Sequence, residues 1–103
     1  MASVASLEAM LQRGQDSALL RYSLGNEYLK LKDDAKAIEH LRRALALDRN
    51  YSAAWKLLGK ALADAGQTDE AINTYKEGIG IAEAKGDLQA AKEMTVFLRR
   101  LRK

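Results

Sequence analysis

Residues 52–85 read SAAWKLLGKALADAGQTDEAINTYKEGIGIAEAK, and residues 18–51 before them read ALLRYSLGNEYLKLKDDAKAIEHLRRALALDRNY. Laid over each other at a shift of 34 residues, Leu24-Gly25 falls on Leu58-Gly59 and Ala37-Ile38 on Ala71-Ile72. Leu41 meets Tyr75, Ala44 meets Gly78 and Leu45 meets Ile79. Most other positions differ, so the matches gather where helices must touch. Two antiparallel helices approach to ~8–10 Å only where small residues stand at the crossing. Gly25 and Gly59 supply them on the first helix of each copy, Ala37 and Ala71 on the second. Glycine inside an exposed helix costs about 1 kcal/mol against alanine, so its presence points to close packing, with Gly59 expected against Ala71.

Working outward, glycine and Asx residues divide the chain into six helices. Ser6 opens a first helix with Glu8 in its first turn, Val4, Leu7, Met10 and Leu11 as its stripe, and Gly14 as its stop. Asp16 is expected to cap the second, through Leu19, Leu20, Leu24, Tyr28 and Leu31. Asp33 and Asp34 start the third, with Ala37, Ile38, Leu41, Ala44, Leu45 and Leu47 along it, and Asp48-Arg49-Asn50 end it. The fourth runs from Ser52 to about Ala65, turning Trp55, Leu58, Leu62 and Ala65 inward, with Gly66 just past its end. Thr68, Asp69 and Glu70 begin the fifth, which Gly86 stops near Lys85. Asp87 caps the sixth, whose stripe is Leu88, Ala91, Met94, Phe97 or Leu98, and Leu101. Connections this short make successive helices antiparallel neighbours.

At these residues the chain resembles the tetratricopeptide repeat family, whose pattern is W-x2-L-G-x2-Y, then A-x3-F and P, over 34 residues. The second copy matches through Trp55, Leu58-Gly59, Ala71 and Tyr75, the first through Leu24-Gly25, Tyr28, Ala37 and Ala44. Arg21 stands at the tryptophan position, Leu62 at the tyrosine, Gly78 at an alanine, and Arg49 and Glu83 at the proline. The resemblance implies an all-α fold: a right-handed stack of antiparallel hairpins in one domain. Its parts are an N-terminal capping helix over 1–17, repeats over 18–51 and 52–85, and a C-terminal capping helix over 86–103. The last is expected to lack the small-residue positions, because Lys92 and Glu93 fall where Leu-Gly would.

The composition narrows function by exclusion. The 103 residues include no cysteine, which removes thiol nucleophiles, disulfides and Cys-ligated zinc, and no proline. No run approaches the ~20 apolar residues of a membrane span, and the N-terminus lacks the basic start of a signal peptide; cytoplasmic residence is expected. The net charge of +3 collects at Arg99, Arg100, Arg102 and Lys103, where cations suit a helix C-terminus. His40, the only histidine, reads as a solvated helix residue beside Glu39, Arg42 and Arg43. The acid pairs Asp33-Asp34 and Asp69-Glu70 open helices, where the dipole favours them. The pattern holds no catalytic set and no metal or cofactor site.

The expected function is therefore non-catalytic: binding a protein or peptide segment in the concave face of the stack. The resemblance places that face on Leu19, Tyr22, Asn26 and Leu29, on Ala53, Lys56, Lys60 and Ala63, and on Ala90, Met94 and Phe97. Tyr22, Asn26, Lys56 and Lys60 are its candidate partner-binding residues, and they imply an acidic segment or a free C-terminal carboxylate as ligand. Lys60 can also pair with Asp64 four residues on. Two other readings stand beside this one. In the first, a self-association unit pairs repeat ends into a homodimer; in the second, the C-terminal arginines take RNA or another polyanion. The N-terminal helix is a further candidate to fill the groove, through Leu7, Met10 and Leu11.

Overall fold

The computed structural model describes residues 3–103, which form six α-helices: α1 (Val4–Gln12), α2 (Ala18–Lys30), α3 (Asp34–Leu47), α4 (Ser52–Asp64), α5 (Thr68–Lys85) and α6 (Leu88–Leu101). Asp33 and Asp87 cap α3 and α6 by accepting from the Lys36 and Ala90 amides. Two expected caps are corrected, by three residues at α1 and by one at α2. Ser3, not Ser6, caps α1, and Ser17, not Asp16, caps α2 by accepting from the Leu20 amide. Gly14, Gly66 and Gly86 follow their helices with φ of 83°, 79° and 84°, a left-handed turn that glycine makes without a Cβ penalty. At the place in the first repeat that matches Gly66, Lys32 takes the same turn with φ 63°.

α2 and α3 form one antiparallel hairpin and α4 and α5 the next, with α3 packed on α4. α2 packs against α4 and α4 against α6, whereas among the described residues the α3 and α5 backbones stay apart and are joined at their surface, where Arg42 pairs with Glu70 at 2.6 Å. The first helices of the hairpins thus close up along one side while the second helices fan out along the other, which curves the stack and makes α2, α4 and α6 its inner wall. Leu24, Leu41, Leu62 and Met94 are fully buried along the middle. Leu19 and Leu31 on α2, Leu47, Ala65 and Leu88 lie exposed rather than inward.

The close crossings exist, with a different partner from the one expected. A Cβ on Gly59 would come within 2.5 Å of the Tyr75 ring, not against Ala71, and one on Gly25 would meet Leu41 Cγ at 2.5 Å. The glycine is therefore paired with the large residue of the second helix, one turn beyond the alanine. The last helix brings a second correction. α6 starts at Leu88, two residues later than a 34-residue repeat from Ser52. That shift moves Lys92 and Glu93 off the Leu-Gly position and puts Met94 and Thr95 there. Met94 is buried as Leu58 is, and Leu98 as Leu62 is, so α6 is a third first-type helix.

Candidate functional site

The inner wall carries two clefts that share two residues, Lys60 and Asp64. Between α2 and α4 lies a cleft of about 220 Å³ lined by Asn26, Leu29, Lys30, Lys32, Leu57, Lys60 and Asp64. Between α4 and α6 lies another of about 320 Å³, walled by Ala63, Tyr75, Phe97 and Leu101, with Lys60, Asp64 and Arg100 at its edge. Helical spacing explains the sharing. Lys60 sits at the centre of the exposed face of α4, with Leu57 on the flank toward α2 and Ala63 on the flank toward α6. The second cleft has apolar walls and a charged rim, whereas the first sets Leu29 and Leu57 among charged and amide side chains; together they suit an apolar side chain with a polar neighbour.

The four candidate residues are differently employed. Asn26 and Lys60 meet in the first cleft. Lys60 Nζ lies 3.2 Å from Asp64, both side chains about half exposed. Lys56 is engaged elsewhere: its Nζ donates to Glu93 of α6 at 3.0 Å. Tyr22 stacks on Tyr51, ring centroids 5.0 Å apart, and lines neither cleft. Of the α6 residues expected in the wall, Ala90 and Met94 are buried in the core, and only Phe97 reaches the cleft. It lies 5.9 Å from the Tyr75 ring, whose hydroxyl burial pushes up to about 12. Leu57 was not singled out from the sequence, and Arg100 was singled out only within the C-terminal cationic cluster, not for the groove. The signal for Leu57 was a leucine beside Lys56 and off the Trp55–Leu58–Leu62 stripe.

α1 does not fill the groove. It packs on α2 and makes no contact with α4, because Glu8 ties it to the hairpin by accepting from Tyr28 Oη at 2.7 Å. That bond, with burial, pushes the Tyr28 hydroxyl up to about 12. His40 is corrected with it. The ring is 5% exposed, stacked on Tyr28 with centroids 5.5 Å apart, and its Nδ1 lies 3.1 Å from Arg21 Nη1. Burial lowers its pKa below 6.5. The sequence pattern misled here because Arg21, at the tryptophan position, folds back over α3 and covers it. Asp16 holds Arg21 through two hydrogen bonds, at 2.8 and 3.1 Å, and those bonds hold the Asp16 carboxyl below its ordinary value. The arrangement fills space with satisfied polar groups and aims none of them at a cleft.

Among the described residues no helix is long and apolar enough to cross a membrane, and no cluster of His, Asp and Glu has the geometry to hold a metal ion. Comparison with known proteins agrees with the repeat geometry. Tetratricopeptide repeat models match residues 18–51 and residues 52–85. A TPR repeat-containing protein of Pseudomonas aeruginosa is 50% identical over 98 residues, covering 95% of this chain and 93% of that protein. A Bordetella parapertussis protein of known solution structure superposes with a TM-score of 0.86 at 44% identity, over 98% of this chain and 88% of that one. The second TPR domain of human RPAP3, solved with an HSP70 peptide, has the same fold, with a TM-score of 0.80 at 24% identity over 97% and 78% of the two chains. Two matched repeats, close relatives along nearly the whole length and glycine-centred crossings lead to one conclusion: the chain belongs to the tetratricopeptide repeat family.

Proposed function

We propose that this chain is a non-catalytic interaction module that receives an extended partner segment along the inner wall of α2, α4 and α6. The observation that carries the reading is the position of Lys60. Among the described residues it is the one ammonium that borders both clefts, and its only partner there is an exposed carboxylate four residues away. An acidic side chain or terminal carboxylate set against Lys60 places neighbouring apolar side chains of the segment over Leu57 on one flank and Phe97 on the other. Lys56 contributes less, because a ligand must first displace Glu93. The human domain of the same fold is known with the peptide SGPTIEEVD, and a segment of that size and acidity is a fitting probe.

The test is titration of acidic nonapeptides into labelled protein, read as amide shifts. Shifts are expected at Asn26, Leu57, Lys60 and Phe97, and Lys60→Ala should weaken binding several-fold, since hydrogen bonds to a charged group contribute ~1.5–3 kcal/mol when desolvated. Lys56→Ala should cost less than Lys60→Ala. An absence of shifts around Lys60 at millimolar peptide would refute the proposal, and shifts confined to residues 99–103 would point to polyanion binding instead.

A further inference from the structure

α6 is a first-type helix, and among the described residues no second-type helix lies on its outer side. α6 packs on α5 and α4 as α4 packs on α3 and α2, but the side on which α4 carries α5 is open on α6. The open groove, about 460 Å³, is bounded by Glu83 at the end of α5 and by Leu88, Ala91, Lys92, Thr95, Val96 and Arg99 of α6. Leu88 and Val96 are 61% and 42% exposed. Between them the groove floor is small: Ala91, which is buried, and half-buried Thr95, whose hydroxyl is spent on the Ala91 carbonyl at 2.8 Å. Glu83 lies at the Leu88 end of the groove and Arg99 at the other, and Leu88 and Arg99 are ~16 Å apart by helical rise. Neither Glu83 nor Arg99 joins an ion pair among the described residues.

This pattern is complementary to itself when reversed. We infer that the face pairs with the same face of a second copy of the chain, two α6 helices lying antiparallel about a two-fold axis. Centring the axis between Glu93 and Met94 puts Ala91 of one copy opposite Val96 of the other, so a large side chain meets a small one twice. It also puts Leu88 against the stem of Arg99, whose guanidinium then reaches Glu83 of the same copy as that leucine. The symmetry forms that salt bridge twice. Lys92 lies opposite Thr95, and the two Lys92 ammonium groups remain at the wet rim. One helix pair is a small interface, so the dimer is weak and concentration-dependent.

Sedimentation equilibrium of the full chain tests this. The mass should rise from 11.4 kDa toward twice that value as concentration approaches ~1 mM, the regime of small interfaces. Glu83→Arg alone and Arg99→Glu alone should each stay monomeric, because each sets like charges together twice. Their equimolar mixture should dimerise, since every contact then pairs Arg with Glu, and the double variant E83R/R99E should recover self-association. Both positions lie on the surface, and unchanged helical circular dichroism separates lost pairing from lost fold. A wild-type chain that stays monomeric throughout overturns the inference. So does a dimer that survives both single variants and Val96→Glu, or a mass that climbs past the dimer as head-to-tail polymers do.

Discussion

The two repeats solve the same position in opposite ways. In the second, Trp55 buries its ring, donates from Nε1 to the Arg49 carbonyl at 2.8 Å, and has the Arg49 guanidinium over its face, 5.6 Å from the ring centroid. Its Cβ lies only 2.8 Å from where a Cβ on Gly78 would be, so the glycine there is what lets the ring in. In the first repeat Arg21 takes that place and fills it with a charged chain running from Asp16 to His40. The second repeat lies mid-stack, with α3 on one side and α6 on the other. The first is flanked by α1, a helix of only nine residues, which leaves its junction close to water. A tryptophan contributes most where it is fully enclosed; near water an arginine keeps its charge hydrated and paired. The ion pairs across the two junctions also reverse sign. Asp16 faces Arg43 at 3.7 Å at the first, and Arg49 pairs with Glu77 at the second. Exchanging α3 for α5 would set Arg43 beside Arg49, so the reversal favours one stacking order.

The largest expected consequence is in stability. Trp55→Ala should cost about 3–5 kcal/mol, the range for emptying an aromatic site in a core. Arg21→Ala should cost less, nearer the ~1.5–3 kcal/mol of lost hydrogen bonds to a charged group. Urea denaturation of both variants measures the difference, and equal losses would mean that the two junctions are energetically alike. A smaller effect lies at the turns. Lys32 takes the left-handed turn that Gly66 makes in the other repeat, and a side chain there costs roughly 1–2 kcal/mol before the entropy of glycine is subtracted. Lys32→Gly should raise stability by about 1 kcal/mol or less, and a loss would show that the Lys32 side chain holds the first cleft together.

The smallest effect is a pH dependence confined to the first repeat. Burial lowers the pKa of His40 below 6.5, against the pull of the nearby Glu8, Glu39 and Asp16 and with that of Arg21. The unfolded chain therefore takes up the proton first. The stability tied to a neutral His40 is complete above pH 6.5 and is lost as pH falls from there through the lowered native value. Melting temperatures at pH 7.5 and 5.5 should differ in the wild type and converge in His40→Gln. A difference of the same size in the variant would assign the effect to other groups.

The helices were legible from the chain. Gly14, Gly66 and Gly86 stop them, Asp33 and Asp87 cap two of them, and apolar spacing names most of the core, because caps and periodicity act within a few residues. The repeat was legible too, since Gly25 and Gly59 are costly unless something packs on them. What packs on them was not: Tyr75 rather than Ala71 depends on how far one helix slides along another. The engagement of Lys56 by Glu93, the burial of His40 and the retreat of Met94 into the core have the same origin. Each follows from the two-residue shift of α6 or from Arg21 folding over α3, and both are set by contacts between residues far apart in the chain. Local sequence thus determined the six helices, four of them in two repeats. Only their packing decided which lysine borders both clefts and which face of α6 no other helix covers among the described residues.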